Sequence, residues 1–322
     1  MLCRRRFVAS LALAPFAKFG CDPAAAAEWP QRPVRILYPY AAGSAGDTTA
    51  RLIARRLSGA LGQQFLIETR AGANGAIATE AVARSPADGY TLLWAITPQI
   101  AIAPAMMKVA YDPVKDFIPI SAVATNSFAL VVNPQLAVTT VAEFIDFARA
   151  QSKGFAYAEG GAGSISHLAM VLLLDRAGLR GTNVSYKGSS QALTDVIAGH
   201  LPAMFCLLGD ALAQAQSGTV RLLAVSSAER SSRVPNVPTI AEAGFPGFNF
   251  TSWWGMMAPA GTPQSVADRI ASEVAHATAD PKIVAQLTEL GVDPLGRGPT
   301  EFAAMINADI KLWSGAVKIA GL

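Results

Sequence analysis

Two short loops of small residues are the parts of this sequence best suited to binding chemistry. The first glycine loop, residues 41–46, connects a predicted buried strand at residues 35–39 to a predicted helix at residues 47–61. Asp47 is a suitable N-cap for that helix, and apolar residues recur along one of its faces. Because a helix start leaves backbone N–H groups free and carries a partial positive charge, this turn suits a small anion.

The second glycine loop, residues 160–163, repeats this arrangement in the other half of the chain. It leads from a predicted strand at residues 155–158 into a predicted helix at residues 164–177. No arginine lies within either loop tip, since Arg51 is a turn inside its helix and Arg70 ends a strand. We therefore expect a small anionic ligand to be held between the two loops by backbone N–H groups and hydroxyls.

Sequence motifs for the common enzyme chemistries are missing. Neither Ser44 nor Ser164 lies in a Gly-x-Ser-x-Gly elbow, and residues 161–163 lack the third glycine of a dinucleotide fingerprint. The three histidines show no spacing typical of metal ligands. We expect no metal, no cofactor and no enzyme activity. A spatial triad needs no motif, so an α/β enzyme with His167 or Cys206 as base or nucleophile stays an alternative.

Four features allow both a structural and a functional interpretation. His167, in the first turn of its predicted helix, is expected to bond its own loop, with a ligand-facing role as the alternative. Cys206 is expected to be a small buried hydrophobe. Tyr186 and Ser189 could end an ordinary strand, or could offer a ring and a hydroxyl to a cleft. The tryptophan pair at 253–254 fits core or hinge packing, with a cleft role as the alternative.

The first 27 residues have the organisation of an export signal. Three arginines precede an apolar run at residues 7–17, and alanines at residues 24–27 supply a cleavage site. The run is too short to span a bilayer, and the arginines allow twin-arginine export as well as the general secretory route. Without this segment the chain keeps 22 basic and 22 acidic residues, so no charge excess indicates nucleic-acid or membrane binding. Cys206 is then the single cysteine, which excludes an intrachain disulfide.

Strands and helices alternate along the first third of the chain. Strands are predicted at residues 35–39, 65–70 and 90–96. This βαβ order implies an α/β fold with a mostly parallel sheet and with ligands bound outside the carboxyl ends of its strands. The loops after these strands should then share one rim of the sheet; they are residues 41–47, 71–75 and 97–99.

A second alternation of strands and helices fills the middle of the chain, and the closing part is helical. A strand predicted at residues 251–258 returns from the second set toward the first. Two sets joined in this way indicate a clamshell of two α/β lobes, with crossing strands near Thr125 and Ser252, that can close around a small ligand. The predicted lobes are residues 28–125 plus 253–322 and residues 126–252.

Several short motifs are spread over both predicted lobes. In the first lobe they are PYAAGSAGD, RAGANG and ADGYTL, which start at residues 39, 70 and 87. In the second lobe they are GAGS, YKG and ALTD, which start at residues 161, 186 and 192, followed by LAVS from 223 and APAGTP from 258. Together and in this order they resemble the Bug solute receptors of the tripartite tricarboxylate transporters. The similarity runs from Trp29 to Leu322.

The resemblance implies a type II periplasmic-binding-protein fold and the uptake of small carboxylates. It also implies that the ligand carboxylate meets loop backbone and ordered water in the first lobe. The sequence departs from the family pattern at five positions, namely Ser44, Ala71, Glu159, Pro202 and Cys206. Of these, Glu159 would repel a second carboxylate or pair with a ligand amine if it faced the cleft.

We therefore expect a periplasmic solute-binding protein that captures a small organic carboxylate and delivers it to a tripartite membrane permease. A ligand-sensing subunit for a membrane sensor kinase is an alternative, because it needs the same clamshell. We expect a monomer that binds no nucleic acid. The residues expected to contact the ligand are Tyr40, Gly43, Ser44, Gly46, Asp47, Asn74, Thr97, Gly161, Gly163, Ser164, His167, Tyr186, Ser189 and Cys206.

Overall fold

The computed structural model describes residues 29–152 and 154–322, so the predicted export signal lies outside the described residues. The strands are β1 (Val34–Tyr38), β2 (Phe65–Thr69), β3 (Thr91–Ile96), β4 (Phe117–Asn126), β5 (Phe128–Val132), β6 (Phe155–Glu159), β7 (Gly181–Ser185), β8 (Ala203–Leu207), β9 (Arg221–Val225), β10 (Ser252–Pro259) and β11 (Asp293–Arg297). The α-helices are α1 (Ala45–Leu61), α2 (Ala76–Ala83), α3 (Ala103–Met106), α4 (Val141–Ala150), α5 (Ile165–Arg176), α6 (Ser189–Ile197), α7 (Leu208–Gln216), α8 (Gln264–Ala279), α9 (Pro281–Glu289) and α10 (Pro299–Ala320). Within the described ranges, none of the helices combines the length and the apolar character that a membrane crossing needs.

The first lobe is built on a mixed six-stranded sheet with the order β11-β4-β10-β3-β1-β2. As the βαβ order predicts, β1 runs parallel to β2 and β3. In contrast, β10 is antiparallel to β3 and β4, and β11 is antiparallel to β4. The prediction of a mostly parallel sheet is therefore wrong, because three of the five strand pairs in this sheet are antiparallel. The reason is that β4 leads out to the second lobe and β10 returns beside it in the opposite direction.

The second lobe contains the antiparallel sheet β8-β5-β9 and the parallel pair β6-β7, which lies beside β8. Its core is rich in aromatic rings. Phe144 of α4 meets Phe155 of β6 edge-on at 5.4 Å, and Phe205 of β8 meets Phe250 at 5.7 Å. Because β6 and α5 are joined by the second glycine loop, the packing of this core positions that loop.

The chain passes between the two sheets at two places, from β4 to β5 and from β9 to β10. The two crossings lie side by side near the predicted positions, since the Thr125 hydroxyl donates to the Ser252 carbonyl over 3.3 Å. Ser226 also joins the crossings. Its Oγ accepts from the N–H of Phe128 over 2.9 Å and donates to the carbonyl of Phe250 over 2.7 Å.

The last helix, α10, packs on both lobes. Near its start, Phe302 and Ile306 are buried with Trp253 in the core of the first lobe. Two turns further along, Trp313 and Val317 are buried in the core of the second lobe. The sequence prediction assigned all residues after 252 to the first lobe, whereas the packing of α10 makes this helix a third connection between the lobes.

The predicted elements differ from the structure in a few places that have local causes. The prediction of Asp47 as an N-cap is wrong, because α1 begins at Ala45 and the Oγ of Ser44 accepts from the N–H of Asp47 over 3.2 Å. Strand β11 is not predicted, since Pro294 and Gly296 argue against a strand. Helix α7 is not predicted because it follows β8 directly, with no turn residue between them.

Candidate ligand-binding cleft

A cleft of about 760 Å³ opens between the two lobes. Its walls combine loops of the first lobe, the two crossings and the second glycine loop. The lining residues are Tyr40, Asn74, Pro98, Ala103, Met106, Met107, Asn126, Phe128, Gly160, Gly161, Ala162, Gly163, Ser164, Ile165, Ser166, Ser189, Leu207, Ser252 and Trp254.

The loops predicted to share a rim of the first sheet meet at this cleft. Tyr40 borders the first of them, Asn74 and Pro98 belong to the other two, and all three residues line the cleft. The Tyr40 hydroxyl donates to the carbonyl of Asn74 over 3.4 Å. Gly75 has a φ of 89°, and a Cβ there would lie 3.0 Å from the Cβ of Gln99, so only glycine fits where the second and third loops touch.

The first glycine loop is braced by its own side chains and lies beside the cleft wall. The Asp47 carboxylate accepts from the N–H of Gly43 over 3.0 Å and from Arg51 over 3.1 Å. Burial acts to raise the pKa of Asp47, but these hydrogen bonds lower it overall. A Cβ on Gly46 would lie 3.4 Å from the indole of Trp254, which itself lines the cleft. The predicted residues Gly43, Ser44, Gly46 and Asp47 are not among the lining residues.

The second glycine loop forms part of the cleft wall, and its own side chains already use several of its donors. Three N–H groups are used in this way: Gly160 donates to Ser166 Oγ over 3.0 Å, Gly161 to the Glu159 carboxylate, and Gly163 to His167 Nδ1 over 3.0 Å. In the described part of the chain, the N–H groups of Ala162, Ile165 and Ser166 have no hydrogen-bond partner. Because Ile165 and Ser166 open α5, an anion at these groups would meet the positive end of the helix dipole.

Glu159 and His167 are buried next to this loop and support it. The Glu159 side chain has no exposed surface, and its second oxygen accepts from Nδ2 of Asn183 over 3.2 Å. Glu159 does not line the cleft, so it does not contact a ligand there. His167 accepts from its own loop through Nδ1, in line with the structural interpretation. Burial lowers the pKa of His167, so the ring is neutral near pH 7.

The remaining predicted residues are divided between the cleft and the core. Ser189 lines the cleft, whereas Tyr186 donates its hydroxyl to a carboxylate on α6. Thr97 is buried, and its Oγ1 accepts from the N–H of Trp253 over 2.9 Å, which ties the third rim loop to the second crossing. Cys206 is fully buried in the second lobe, and burial raises the pKa of its thiol, so it behaves as a core residue.

Sequence reasoning misses the lining residues that come from the crossings, from the end of β8 and from the short helix α3 that follows β3. They include Met106, Met107, Asn126, Phe128, Leu207, Ser252 and Trp254. A signal for Trp254 does exist, because neighbouring residues of a strand point to opposite faces. Trp254 faces the cleft, whereas Trp253 faces away and donates its Nε1–H to Asp309 over 2.7 Å.

Replacing Ser164 by alanine is expected to lower the free energy of unfolding by about 1 kcal/mol. The reason is that Ser164 Oγ accepts from the N–H of His167 over 3.3 Å and thereby caps α5. Denaturant unfolding of the two proteins measures the difference. Ser164→Thr keeps the hydroxyl and is the control, for which a smaller loss is expected. Equal stability of the wild type and the alanine variant would contradict the capping role.

Comparison with known proteins gives matches over nearly the whole chain. The family described as the tripartite tricarboxylate transporter family receptor matches residues 49–322. A UPF0065 protein of Bordetella bronchiseptica is 40% identical over 300 residues, which cover 92% of this chain and 89% of the relative. Protein BugT of Bordetella pertussis is 33% identical over 301 residues, which cover 93% of this chain and 92% of the relative.

Two solved structures share the fold and include a carboxylate. The structure of R. palustris Rpa4515 with adipate has a TM-score of 0.76 at 35% identity and covers 91% of this chain and 99% of its own. MatC from Rhodopseudomonas palustris with bound malate has a TM-score of 0.73 at 31% identity and covers 90% of this chain and 100% of its own. These matches confirm the expected Bug-type, two-lobed fold. The chain belongs to the tripartite tricarboxylate transporter receptor family and is a solute-binding receptor rather than an enzyme.

Proposed function

We propose that the protein captures a small organic carboxylate between its lobes in the periplasm and delivers it to the membrane permease of a tripartite transporter. The start of α5 carries this proposal, because its free N–H groups open onto a cleft lined by both lobes. Relatives solved with adipate and with malate support the ligand class. Removal of residues 1–27 on export and a monomeric state belong to the same proposal.

The proposed site has two groups of residues. Those that line the cleft would contact the ligand; of the predicted residues they are Tyr40, Asn74, Gly161, Gly163, Ser164 and Ser189. Of the others, Gly43, Ser44, Gly46, Asp47, Thr97, His167 and Tyr186 would act by holding the loops in place, and Cys206 by packing in the core of the second lobe. The proposed lobes are residues 28–125 plus 253–322 and residues 126–252, and closure would bend the chain at the two crossings.

A saturating carboxylate is expected to raise the unfolding temperature of the mature protein, because a ligand that binds only the native state stabilises it. At a hundredfold excess over the dissociation constant the gain is about 2.7 kcal/mol. A thermal-shift screen of mono-, di- and tricarboxylates, followed by calorimetry, tests this, and chromatography shows whether the ligand is recovered unchanged. No shift with any carboxylate, or turnover of the ligand, would contradict the proposal.

Ile165→Pro is expected to weaken carboxylate binding by a factor of about ten or more, because it removes a free N–H at the start of α5. A hydrogen bond to a charged group contributes roughly 1.5–3 kcal/mol, which sets this factor. Proline is tolerated at the first position of a helix, and Ser164 already has the extended backbone (φ −65°, ψ 161°) that a residue before proline adopts.

The matched control for this experiment is Ile165→Ala. It loses the same buried side chain but keeps the backbone N–H, so the two variants differ chiefly in the donor. Calorimetry of both variants with the acid that binds tightest in the screen measures the effect. If the alanine and proline variants bound with equal affinity, the N–H group of Ile165 would have no part in the site.

A further inference from the structure

A second cavity, of about 560 Å³, lies on the opposite side of the two crossings from the ligand cleft. Successive residues of each crossing alternate between the two sides. Those that line this cavity are Thr125, Ser127, Thr251 and Trp253, and those that line the cleft are Asn126, Phe128, Ser252 and Trp254. Because neighbouring side chains of an extended chain point to opposite faces, the crossings form a wall between the two cavities. We call the cavity behind this wall the hinge crevice.

The hinge crevice is bounded by both lobes. Residues 227–232 of the second lobe form one wall, and residues of β11 and α10, including Asp293 and Asp309, form the other. When the lobes rotate toward each other about the crossings, the cleft in front narrows and the crevice behind widens. A contact between the lobes on this side is therefore made in the open receptor and weakened in the closed one.

Arg233 and Asp293 form an ion pair between the lobes on the crevice side. Nη2 of Arg233 donates to Oδ1 of Asp293 over 3.1 Å. Arg233 directly follows the crevice wall of the second lobe, and its neighbour Val234 packs on a core of that lobe. Asp293 opens β11 in the first sheet, where it lies in register with Thr125 at the first crossing. The pair thus joins the two lobes beside the hinge.

The surroundings of Arg233 make this ion pair stronger than a pair in water. Only 12% of the Arg233 side chain is exposed, and its Nε is buried without a hydrogen-bond partner in the part of the chain that the structure describes. Nη1 would lie 3.5 Å from a Cβ on Gly291, and the same Cβ would lie 3.4 Å from the Cα of Gly209 in α7. The lobes therefore approach closely here, and separating the two charges costs free energy.

We propose that the Arg233–Asp293 pair is a latch behind the hinge, which holds the ligand-free receptor open and breaks as the lobes close. The inference rests on the proposed function, because it takes closure around a carboxylate as the event that opposes the latch. Contacts to the ligand must then supply the free energy that separates the pair, so the receptor binds its ligand more weakly than the cleft alone would allow. In return, the closed form is rare unless the cleft is filled.

Removal of the latch is expected to tighten carboxylate binding, whereas loss of an ordinary structural contact would weaken it or leave it unchanged. Arg233→Met and Asp293→Ala should each lower the dissociation constant about three- to tenfold, because a larger fraction of the protein is ready to close. The double variant should bind no tighter than the tighter single variant, since both changes remove the same contact. Calorimetry with the acid that binds the wild type tightest measures these constants, and thermal unfolding checks that the variants fold.

The two single variants also separate the latch from a general effect of charge. Arg233→Met removes a positive charge and Asp293→Ala a negative one, so long-range attraction of an anionic ligand would change in opposite directions. Only the loss of a shared contact tightens binding in both variants. Opposite changes in affinity would therefore overturn the latch.

Arg230→Met is the matched control. Arg230 lies in the same segment and lines the hinge crevice, but its Nε pairs with Glu242 within the second lobe over 2.9 Å. The same substitution there removes an ion pair without freeing the lobes, so the affinity should stay within twofold of the wild type. If Arg230→Met tightened binding as much as Arg233→Met, the effect would not belong to the pair between the lobes.

Failure of the latch and failure of the proposed function give different results. Unchanged or weaker binding in Arg233→Met and in Asp293→Ala overturns the latch and leaves carboxylate capture standing. If no carboxylate binds to the wild type or to either variant, carboxylate capture fails and the latch fails with it.

Discussion

Replacement of Trp313 by alanine is expected to lower the free energy of unfolding by about 3–5 kcal/mol. The indole has no exposed surface and packs edge-on against Phe250, with ring centroids 5.5 Å apart. It lies where α10 enters the core of the second lobe, next to the second crossing. The alanine variant therefore loses a large ring and leaves a cavity between the helix and the crossing. Denaturant unfolding measures the loss, which corresponds to a fall in unfolding temperature of roughly 10 °C.

The control for this prediction is Trp313→Phe, which keeps an aromatic ring against Phe250 and is expected to lose less than half as much. Because α10 joins both lobes, the alanine variant should also bind carboxylates more weakly than the phenylalanine variant. A loss of less than about 1 kcal/mol in the alanine variant would show that the site collapses around the missing ring. In that case α10 would contribute little to holding the lobes together.

Asp309→Asn is expected to stabilise the protein at pH 8 by about 1–3 kcal/mol and to have little effect at pH 4. Burial raises the pKa of Asp309 to about 6, although a hydrogen bond from Trp253 opposes the shift. The folded state therefore binds this proton more tightly than the unfolded state does. The stabilisation that comes from protonated Asp309 is fully present below the pKa of the unfolded state, near 4. It is lost as the pH rises through about 6, the pKa in the folded state.

Asparagine keeps an oxygen that can accept from Trp253 and removes the buried charge, so the variant isolates the ionisation of Asp309. Thermal unfolding of both proteins is measured from pH 4 to pH 8. The difference between their stabilities at each pH isolates Asp309, because the contributions of the other acidic residues are the same in both proteins and cancel. Asp309→Ala is the control, because it also removes the charge but leaves the Trp253 indole unpaired. If the difference between wild type and Asp309→Asn did not change with pH, Asp309 would titrate at its ordinary pKa.

The local features of the fold could be read from the sequence because they depend on neighbouring residues. Ser164 marks the start of α5, since a capping residue stands immediately before an apolar run. The crossings near Thr125 and Ser252 follow from the return of a strand after the second alternation. Likewise, the rim loops around Asn74 follow from the rule that loops after parallel strands meet at one edge.

Some of the features that the sequence analysis missed depend on contacts between residues far apart in the chain. Others depend on which of two equally suitable neighbouring residues takes a given structural role. Ser44 and Asp47 are both good N-caps, and only the backbone shows that Ser44 is used. The mixed sheet depends on where β10 inserts, which periodicity does not reveal. Asn126 and Phe128 reach the cleft because the first crossing passes along its wall, so no local pattern identifies them.

The position of β10 has a consequence for how the chain folds. This strand fills the centre of the first sheet between β3 and β4, although it follows the whole second lobe in sequence. One hydrogen bond at this insertion, from Trp253 to Thr97, spans 156 positions. Contacts of such high sequence separation make folding slow, because a large loop must close first. Until residues 252–259 arrive, β3 and β4 each present an open edge to which another chain could add a strand.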